Sequence, residues 1–298
     1  MSNNTFACLD IGGTAIKYGL LKADGTVLEK YETPTEAAQG GPALADKVRA
    51  IVRKLQEADP QISGIALSTA GVVDFERCEI VHASDAIPGY IGINYKEKLK
   101  EFGLPVEAEN DVNSAGLAEA SGAAEGATSA VIVTIGTGIG ACFLQEGQVL
   151  HGNSFSACEV GYLPMHGSTW QELASTTALV ENVAARKEEP VSEWNGRKIF
   201  DLAEQGDAIC QEEIAKTARL IGEGLGMLSL ILNPEVFVLG GGIMARGESM
   251  RPLIEEAFRQ STIPLVGRTT RLAFAKNEND AGMKGALENF LQKHPDLK

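Results

Sequence analysis

A predicted strand, a glycine turn and a second predicted strand open the chain, and they hold the first residues suited to chemistry. Asp10 lies near the end of an apolar run, and Gly12-Gly13-Thr14 form the turn before apolar residues resume. Glycine lets a polyanion approach the backbone closely, so the N–H groups of such a turn can hold phosphate. A carboxylate beside the turn can organise a Mg²⁺ through waters. An ordinary hairpin uses the same pattern, so this turn alone leaves both interpretations open.

The same arrangement occurs again in the middle of the chain. Residues 131–150 repeat the order of residues 9–28, which is strand, Gly/Thr turn, strand, acidic-Gly turn and strand. The acidic-Gly pairs, Asp24-Gly25 and Glu146-Gly147, are strong hairpin signals. Three residues in each copy match at one constant offset, namely Gly25, Val27 and Leu28 with Gly147, Val149 and Leu150. The repeat predicts duplicated domains whose glycine loops face each other across a cleft and hold the phosphates of one nucleotide.

Composition and charge restrict the class of partner. The 298 residues are 44% hydrophobic and 22% charged, with a net charge of −14. These values are typical of a globular protein long enough for two domains. The acidic balance argues against DNA or an anionic membrane as the main partner, although ATP binds through local amides and its metal. Without a signal peptide or a long apolar run, we expect a cytoplasmic protein. The five scattered cysteines contain no Cys-x-x-Cys pair, which predicts reduced thiols.

Strands and helices alternate along the chain, which predicts an α/β fold with mixed sheets. We expect a small N-terminal domain over residues 1–115 and a larger domain over 116–279, with the C-terminal segment 280–298 packing on the first domain. Strands are predicted at 64–69, 106–108, 236–239 and 271–274, and helices at 41–58, 94–102, 112–124, 170–186, 197–204, 208–232, 249–260 and 280–293.

An acidic cluster lies where one of these strands meets a helix. Glu109-Asn110-Asp111 ends the strand at 106–108 and opens the helix at 112–124. One interpretation is structural, because Asn and Asp are preferred helix N-caps. The other is chemical, with Asp111 as a general base that takes a proton from a substrate hydroxyl as its oxygen attacks the γ-phosphate. Both hold together if Asn110 caps the helix while Asp111 faces the cleft.

The second half of the chain adds further candidate residues. The glycines at 240–242 follow an apolar strand and precede a helix, where α/β sheets bind ligands, although a structural loop also fits. The glycine spacing matches neither the Walker A nor the full dinucleotide-binding pattern. Glu159 and Glu172 lie near Tyr162, and each carboxylate has a surface role as its alternative. The four dispersed histidines, without cysteine pairs, do not predict a zinc site.

Taken in order, these motifs carry a family resemblance. The chain resembles the ROK family of bacterial sugar kinases, within the actin-like ATPase superfamily, over essentially its whole length. The motifs are Asp10-Ile-Gly-Gly-Thr14, Ser68-Thr-Ala-Gly-Val-Val-Asp74, Glu109-Asn-Asp-Val-Asn113, Thr134-Ile-Gly-Thr-Gly-Ile-Gly140, Glu159-Val-Gly161 and Leu239-Gly-Gly-Gly242.

The resemblance implies an enzyme that transfers the γ-phosphate of ATP to a hexose hydroxyl, with Asp111 as the base and the 6-hydroxyl as the acceptor. It also implies a duplicated, ribonuclease H-like two-domain clamp, a homodimer, and a Mg²⁺ held by Asp10 through water. The residues that match sugar-binding positions are Thr69, Gly71, Asn110, Asp111, Glu159, Tyr162 and Glu172. Those assigned to the nucleotide are Asp10, Gly12, Gly13, Thr14, Lys17, Thr134, Gly136, Thr137, Gly138, Gly241 and Gly242.

Departures from the family pattern concentrate around the sugar and the zinc. Most members have a histidine, which supports sugar recognition and ligates zinc, where this chain has Tyr162. Residues 161–172 contain no cysteine, so we expect no zinc site. The family's next sugar-binding glutamate falls at Gln171 or Glu172, and we favour Glu172. Ala70 and Ala86 replace the usual proline and asparagine.

With these departures, the chain resembles a zinc-free subgroup of the family that includes β-glucoside kinases and N-acetylmannosamine kinases. Glucokinase and fructokinase are the alternative kinase activities. A substituted hexose is therefore expected to be preferred over glucose. Two other classes are alternatives, a non-catalytic sugar-binding protein and a sugar-responsive repressor. The presence of Asp111 argues against the first. The early first strand and the acidic charge argue against the helix-turn-helix segment of the second.

Overall fold

The computed structural model describes residues 4–298, apart from the side chain of Glu278, and divides the chain into two compact units. The first unit runs to Glu119 and also contains Val149–Ala157 and Asn279–Lys298. The second unit comprises Ala120–Gln148 and Cys158–Glu278. Residues 149–157, which the sequence places in the larger domain, therefore group with the first unit.

The elements form a mixed α/β structure. The strands are β1 Thr5–Ile11, β2 Ala15–Lys22, β3 Val27–Pro34, β4 Gly64–Thr69, β5 Val72–Asp74, β6 Glu79–His82, β7 Val106–Asn110, β8 Ser129–Ile135, β9 Ile139–Gln145, β10 Gln148–Val149, β11 Pro164–Met165, β12 Ser168–Thr169, β13 Val236–Gly240 and β14 Arg271–Phe274. The helices are α1 Gly41–Ala58, α2 Tyr95–Lys98, α3 Asp111–Ala120, α4 Trp170–Ala174, α5 Thr176–Lys187, α6 Gly196–Glu204, α7 Ala208–Leu232, α8 Gly247–Gln260, α9 Pro264–Thr269 and α10 Ala281–Lys293. Short 3₁₀ turns include Val160–Tyr162, Gly242–Arg246 and Glu278–Asp280.

The two main sheets share one strand order, which confirms the duplication predicted from the sequence repeat. The order is β3-β2-β1-β4-β7 in the first unit and β10-β9-β8-β13-β14 in the second. In both, the first strand pairs antiparallel with the second and parallel with the fourth. Each glycine turn therefore connects the first two strands of its own sheet, at the carboxyl end of the central strand.

The core of the first unit forms where α1 and α10 cover its sheet. One face of α1 is buried because Leu44, Val48 and Leu55 recur at helical spacing. This face packs in one cluster with buried residues of the strands. On α10, Phe290 packs against Phe6 with ring centroids 5.3 Å apart. The C-terminal helix is thus part of the folded core of the first unit.

In the second unit, α4 and α7 anchor the core beside the second glycine turn. Trp170 is fully buried, and its indole N–H donates to the Leu220 carbonyl at 3.0 Å. The single helix predicted over 170–186 is wrong, because the chain forms α4 and then α5. The break occurs at Ser175, whose hydroxyl accepts the Ala178 N–H and so begins a new helix. Within the described residues, no helix is long and apolar enough to cross a membrane.

Candidate active site

The first glycine turn lies between β1 and β2 and is tied to the end of β3. The Gly12 N–H donates to the Ala15 carbonyl at 3.1 Å, and the Thr35 hydroxyl donates to the Gly12 carbonyl at 2.6 Å. Gly13 and Thr14, at the tip of the turn, are exposed. The turn is therefore held at its base by the first unit while its tip faces solvent.

Asp10 lies at the carboxyl end of β1, beside this turn. Its Oδ1 accepts the Ser68 hydroxyl at 2.8 Å from the neighbouring strand β4. Burial raises the pKa of Asp10, while the Ser68 hydrogen bond and the positive charges of Lys17 and Lys30 oppose that rise. Lys17, on β2, also lies 3.5 Å from the Asn279 side-chain oxygen. The carboxyl group of Asp10 is therefore desolvated and only partly compensated by nearby cations.

Asn110 and Asp111 lie where β7 ends and α3 begins. Asn110 Oδ1 accepts the N–H groups of Val112 and Asn113 at 2.9 and 3.1 Å, so Asn110 caps the helix. Its Nδ2 donates to the Gly71 carbonyl and to Asp111 Oδ1, each at 2.9 Å. Asn110 thus connects two other predicted sugar-site residues, Gly71 and Asp111.

The environment of Asp111 changes its acidity. Burial, followed by the negative charge of Asp10, raises the pKa of Asp111 to about 6. Hydrogen bonds to its carboxyl from the Val112 N–H at 2.9 Å and from the Asn110 amide oppose this rise. The net effect is a carboxyl group that titrates close to neutral pH, as a general base requires.

Thr69 belongs to a buried hydroxyl chain that the sequence did not indicate. Its hydroxyl lies 2.5 Å from the Tyr90 hydroxyl, which in turn lies 2.8 Å from the Tyr95 hydroxyl. All three side chains are buried, and burial raises the pKa of Tyr90. Tyrosines are common in apolar cores, so the spacing of Tyr90 and Tyr95 along the chain does not distinguish them from ordinary core residues.

Glu109, the first residue of the Glu109-Asn110-Asp111 motif, is the centre of a hydrogen-bonded group. It is fully buried, and its carboxylate accepts from the Asn110 N–H, the Asn113 amide and the His151 ring. His151 lies far along the chain from Glu109. No local spacing pattern could have connected the two residues.

In the second unit, the other glycine turn connects β8 and β9. Gly136 N–H donates to the Gly138 carbonyl at 3.0 Å, and the Gly136 carbonyl accepts the Thr176 N–H at 2.8 Å. The Thr137 carbonyl accepts the Thr177 hydroxyl at 2.9 Å, and Thr134 lies within β8. The turn is therefore fixed to the first turn of α5.

The glycines after β13 approach the same turn. Gly241 has a φ of +98°, and a Cβ there would lie 2.2 Å from the Ile135 carbonyl oxygen. Only glycine fits both the backbone conformation and this contact. Gly242 follows as the first residue of a 3₁₀ turn. The second unit thus brings Gly241 and Gly242 next to the loop that carries Gly136.

The remaining candidates lie on the 3₁₀ turn at Val160–Tyr162 and on α4. Glu159 precedes that turn and is exposed, as is Tyr162, whose exposed fraction is 66%. Gly161 packs closely: a Cβ there would lie 2.3 Å from the Ile139 carbonyl oxygen and 2.7 Å from Gln171 Oε1. Gln171 Oε1 would also lie 2.8 Å from a Cβ on Gly138.

The preference for Glu172 over Gln171 as a ligand is not supported by this geometry. The Glu172 carboxylate accepts the Ser168 hydroxyl at 2.6 Å and the Thr169 N–H at 3.1 Å, which forms a capping box at the start of α4. These bonds lower the pKa of Glu172. Its carboxylate is thus engaged in a helix cap, whereas the Gln171 side chain lies against Gly138.

A cavity of about 390 Å³ lies beside the second glycine turn. Its lining residues come from the turn, α4 and α5, and they are Thr137, Gly138, Gln171, Glu172, Ser175, Thr177, Ala178 and Glu181. Its lining combines the hydroxyl side chains of Thr137, Ser175 and Thr177 with the carboxylate side chains of Glu172 and Glu181, so the cavity is polar.

Asp10 and Asp111 are the carboxyl groups of the first unit that could contribute to a magnesium site. Over the described residues, no group of three or more His, Cys, Asp or Glu side chains could hold a metal. Mg²⁺ needs only one or two carboxylates when phosphates and water complete its octahedron. The negative charge of Asp10 raises the pKa of Asp111, and a cation beside Asp10 would relieve that repulsion.

A family model described as the ROK family matches residues 6–293. The chain belongs to the ROK family. It is 48% identical, over 96% of this chain and 97% of the other, to an uncharacterised protein of Clostridium perfringens. It is also 31% identical to a β-glucoside kinase of Klebsiella pneumoniae, over 96% of each chain.

Solved structures are similar over almost the whole length of this ROK protein. A Streptococcus pneumoniae ROK family protein in complex with sucrose is 31% identical, covers 98% of this chain and 99% of its own, and has a TM-score of 0.85. A Streptomyces griseus ROK glucokinase in complex with glucose and AMPPNP is 26% identical, over 96% and 98% of the chains, with a TM-score of 0.81. These similarities confirm the actin-like ATPase fold that the motifs predicted.

Proposed function

We propose that this ROK protein is an ATP-dependent hexose kinase in which Asp111 is the general base. The observation that carries the proposal is the Asp111 carboxyl group at the start of α3, whose Oδ1 accepts from the Asn110 amide and the Val112 N–H. Burial and the charge of Asp10 raise the pKa of this group to about 6. Such a carboxyl group is mostly ionised at neutral pH and yet basic enough to accept a hydroxyl proton. The sequence relatives of this ROK protein include a β-glucoside kinase.

The hydrogen bonds of Asp111 define which oxygen reacts. Val112 N–H and the Asn110 amide both donate to Oδ1. We therefore assign Oδ2 to the sugar hydroxyl, with the primary 6-hydroxyl as the acceptor. As that oxygen attacks the γ-phosphorus, its proton passes to Oδ2 and the bond to the leaving ADP breaks. Asn110 keeps the carboxyl group oriented throughout because its own side chain is fixed by Gly71 and α3.

The nucleotide is assigned to the glycine loops. The N–H groups of Gly12 and Gly136 are bonded within their own turns. The amides assigned to phosphate are therefore those of Gly13 and Thr14 in the first turn and of Thr137 and Gly138 in the second. The adenosine part is assigned to Gly241 and Gly242. A related glucokinase was solved with AMPPNP, which supports ATP as the donor. Asp10 would hold Mg²⁺, which supplies charge neutralisation at the phosphates when bound.

The sugar is proposed to be a substituted hexose. Thr69, Gly71 and Asn110 are the first-unit candidates for its hydroxyls, and Glu159 and Tyr162 remain predictions from the family pattern. Tyr162 offers an exposed aromatic ring, which can stack on the apolar face of a sugar or of an attached group. Gln171 replaces Glu172 as the proposed ligand from α4.

The test is a coupled assay of ADP release over a panel of glucose, N-acetylmannosamine, fructose, cellobiose and aryl β-glucosides. We expect sugar-dependent ADP release by the wild-type protein, and a loss of turnover by orders of magnitude in Asp111→Asn, because an amide cannot take the proton. Sugar binding, measured by calorimetry, should persist in the variant. Binding without ADP release by the wild type would indicate a non-catalytic sugar-binding protein, and an active Asp111→Asn would exclude Asp111 as the base.

A further inference from the structure

The buried carboxylate of Glu109 is shared between the catalytic turn and a distant histidine. Its Oε1 accepts the Asn110 N–H at 2.8 Å and the Asn113 amide at 3.0 Å. Its Oε2 lies 2.7 Å from His151 Nε2. A carboxylate can only accept hydrogen bonds, so His151 donates through an Nε2–H group. Both bonds to Oε1 hold the turn that presents Asp111, and the bond to Oε2 comes from outside that turn.

The ring of His151 is itself held in place by packing. It stacks on Phe75 with ring centroids 3.8 Å apart and an interplanar angle of 15°. Phe75 also contacts Phe155 edge-on at 5.9 Å, and the Lys293 ammonium lies 4.8 Å from its ring centroid. The His151 side chain is only 16% exposed. Its position therefore depends on packing within the first unit and not on solvent.

His151 begins a short closed loop. Its carbonyl accepts the Ala157 N–H at 3.1 Å, and the hydroxyls of Ser154 and Ser156 lie 2.8 Å apart. The loop lies within residues 149–157, all of which group with the first unit. The His151 contact with Glu109 is a polar connection between this loop and β7.

We infer that His151 is a positioning residue for the catalytic turn, acting through Glu109. The inference rests on the proposed kinase function. Without the His151 donor, Oε2 is a buried anionic oxygen that lacks a partner, which is strongly unfavourable. The carboxylate then turns towards another donor or draws in water, and its two bonds to Oε1 shift with it. Because Asn110 loses its fixed N–H partner, the Asp111 carboxyl group moves away from its reacting geometry.

The decisive variants separate the hydrogen bond from the packing. His151→Phe keeps an aromatic ring on Phe75 but removes the donor, and His151→Gln keeps a neutral donor near the position of Nε2. Phe75→Leu is the matched control, which removes stacking and leaves the donor. With saturating ATP and sugar, we expect His151→Phe to lower kcat roughly 10- to 100-fold, as for a catalytic group displaced by about 1 Å. His151→Gln should recover most of that loss, and the KM for ATP should stay unchanged in both.

A double-mutant cycle with Glu109→Leu, which removes both carboxylate oxygens, tests whether His151 acts through Glu109. If it does, His151→Phe should have little further effect on kcat in the Glu109→Leu background, because the shared interaction is already lost. Additive losses would overturn the inference. So would equal losses in His151→Gln and His151→Phe, or a lowered melting temperature of His151→Phe with kcat per folded molecule unchanged. If His151→Phe does not fold, His151→Leu replaces it as the variant without a donor, with Phe75→Leu as the control for the lost stacking.

An inactive wild-type protein would count against the proposed kinase function and not against the structural link. In that case, sugar affinity is the readout, because Asn110 is also a proposed sugar ligand. His151→Phe should weaken sugar binding in calorimetry and His151→Gln should restore it. Unchanged affinity in His151→Phe would overturn the inference there as well.

Discussion

Gly282 lies directly against the carboxyl group of Asp10. A Cβ at Gly282 would be 2.2 Å from Asp10 Cγ and 2.3 Å from Oδ1, distances that real side chains do not show. Gly282 is in the first turn of α10, so the start of the C-terminal helix faces the strand-end carboxylate. A helix N-terminus favours a nearby negative charge. The C-terminal helix therefore contributes to the environment of the proposed magnesium residue.

We predict that Gly282→Ala impairs magnesium use. Alanine favours the helix by about 1 kcal/mol relative to glycine, so a loss of function would arise from the displaced Asp10 carboxyl group and not from a weakened helix. We expect kcat to fall roughly 10-fold or more, and the Mg²⁺ concentration for half-maximal activity to rise, as for loss of a metal-positioning contact. The measurement is a magnesium titration of ADP release.

Gly64→Ala is the control for this variant. Its Cβ would lie 2.2 Å from the Phe290 ring, so it perturbs the packing of α10 far from Asp10. It should lower the melting temperature while leaving the magnesium requirement as in the wild type. Identical magnesium curves for Gly282→Ala and wild type would show that Asp10 tolerates the added methyl group.

A second prediction concerns the pH dependence of turnover. Asp111 must be ionised to act as the base, and burial with the Asp10 charge raises its pKa to about 6. We therefore expect kcat/KM to rise with pH, with a midpoint near 6, and to flatten above about pH 7. An ordinary aspartate titrates about two units lower. A profile that is flat between pH 5 and 7 would contradict the assignment of Asp111.

The same pKa predicts that Asp111→Asn gains stability at high pH. The folded pKa of Asp111 lies above its unfolded value, so the folded state binds this proton more tightly. Below about pH 4 the group is neutral in both states, and the stabilising effect of the proton is lost as pH rises through about 6. The wild type is then weakened by at most about 3 kcal/mol, less after solvent screening of a half-buried group.

Urea unfolding at pH 4 and pH 8 checks this expectation. Asp111→Asn should match the wild type at pH 4 and exceed it in free energy of unfolding at pH 8. Asparagine keeps the oxygen that accepts the Val112 N–H, so the helix start is preserved in the variant. A stability difference of the same size at both pH values would mean that ionisation of Asp111 is not its source.

The elements of the fold were predictable wherever the pattern is local. The repeat of a glycine turn and a hairpin anticipated the shared strand order of the two sheets, because periodicity and turn residues act within a few positions. The break at Ser175 was missed because apolar spacing continues across it, and the helix cap is decided by one hydroxyl. Helix α9, which was not predicted, has only six residues and begins at a proline, a residue that fits the first turn of a helix.

The contacts within the site were less predictable, because they join distant parts of the chain. Asp10 and Asp111 could be named from their motifs, but their electrostatic interaction depends on the ends of β1 and β7, which lie on either side of β4 in the sheet. Glu109 with His151, and Asp10 with Gly282, are set by tertiary packing, so no spacing pattern reveals them. The alternative between Gln171 and Glu172 depends on where α4 begins, because that point determines which side chain caps the helix.

We predict different defects in the two α4 variants. Glu172→Ala should lower stability by about 1 kcal/mol through loss of the capping box, with the sugar KM nearly unchanged. Gln171→Ala should raise the sugar KM by roughly 10-fold, as for loss of one substrate hydrogen bond, while stability changes little. Steady-state kinetics and thermal melting on both variants decide the matter. A larger KM effect in Glu172→Ala would restore Glu172 as the ligand.

The last prediction concerns the sugar itself. Tyr162 presents an exposed aromatic ring where most family members have histidine, and Ala70 and Ala86 lack the usual rigid or polar groups. A pocket that lacks a polar partner for a hydroxyl discriminates against plain glucose, since one lost hydrogen bond can decide a ratio of kcat/KM values. An aromatic face instead favours a hexose with an attached group. We therefore expect a substituted hexose, such as a β-glucoside or an N-acetyl sugar, to have a higher kcat/KM than glucose. Tyr162→His should reduce that preference. Glucose exceeding every substituted sugar in the panel would contradict this account of Tyr162.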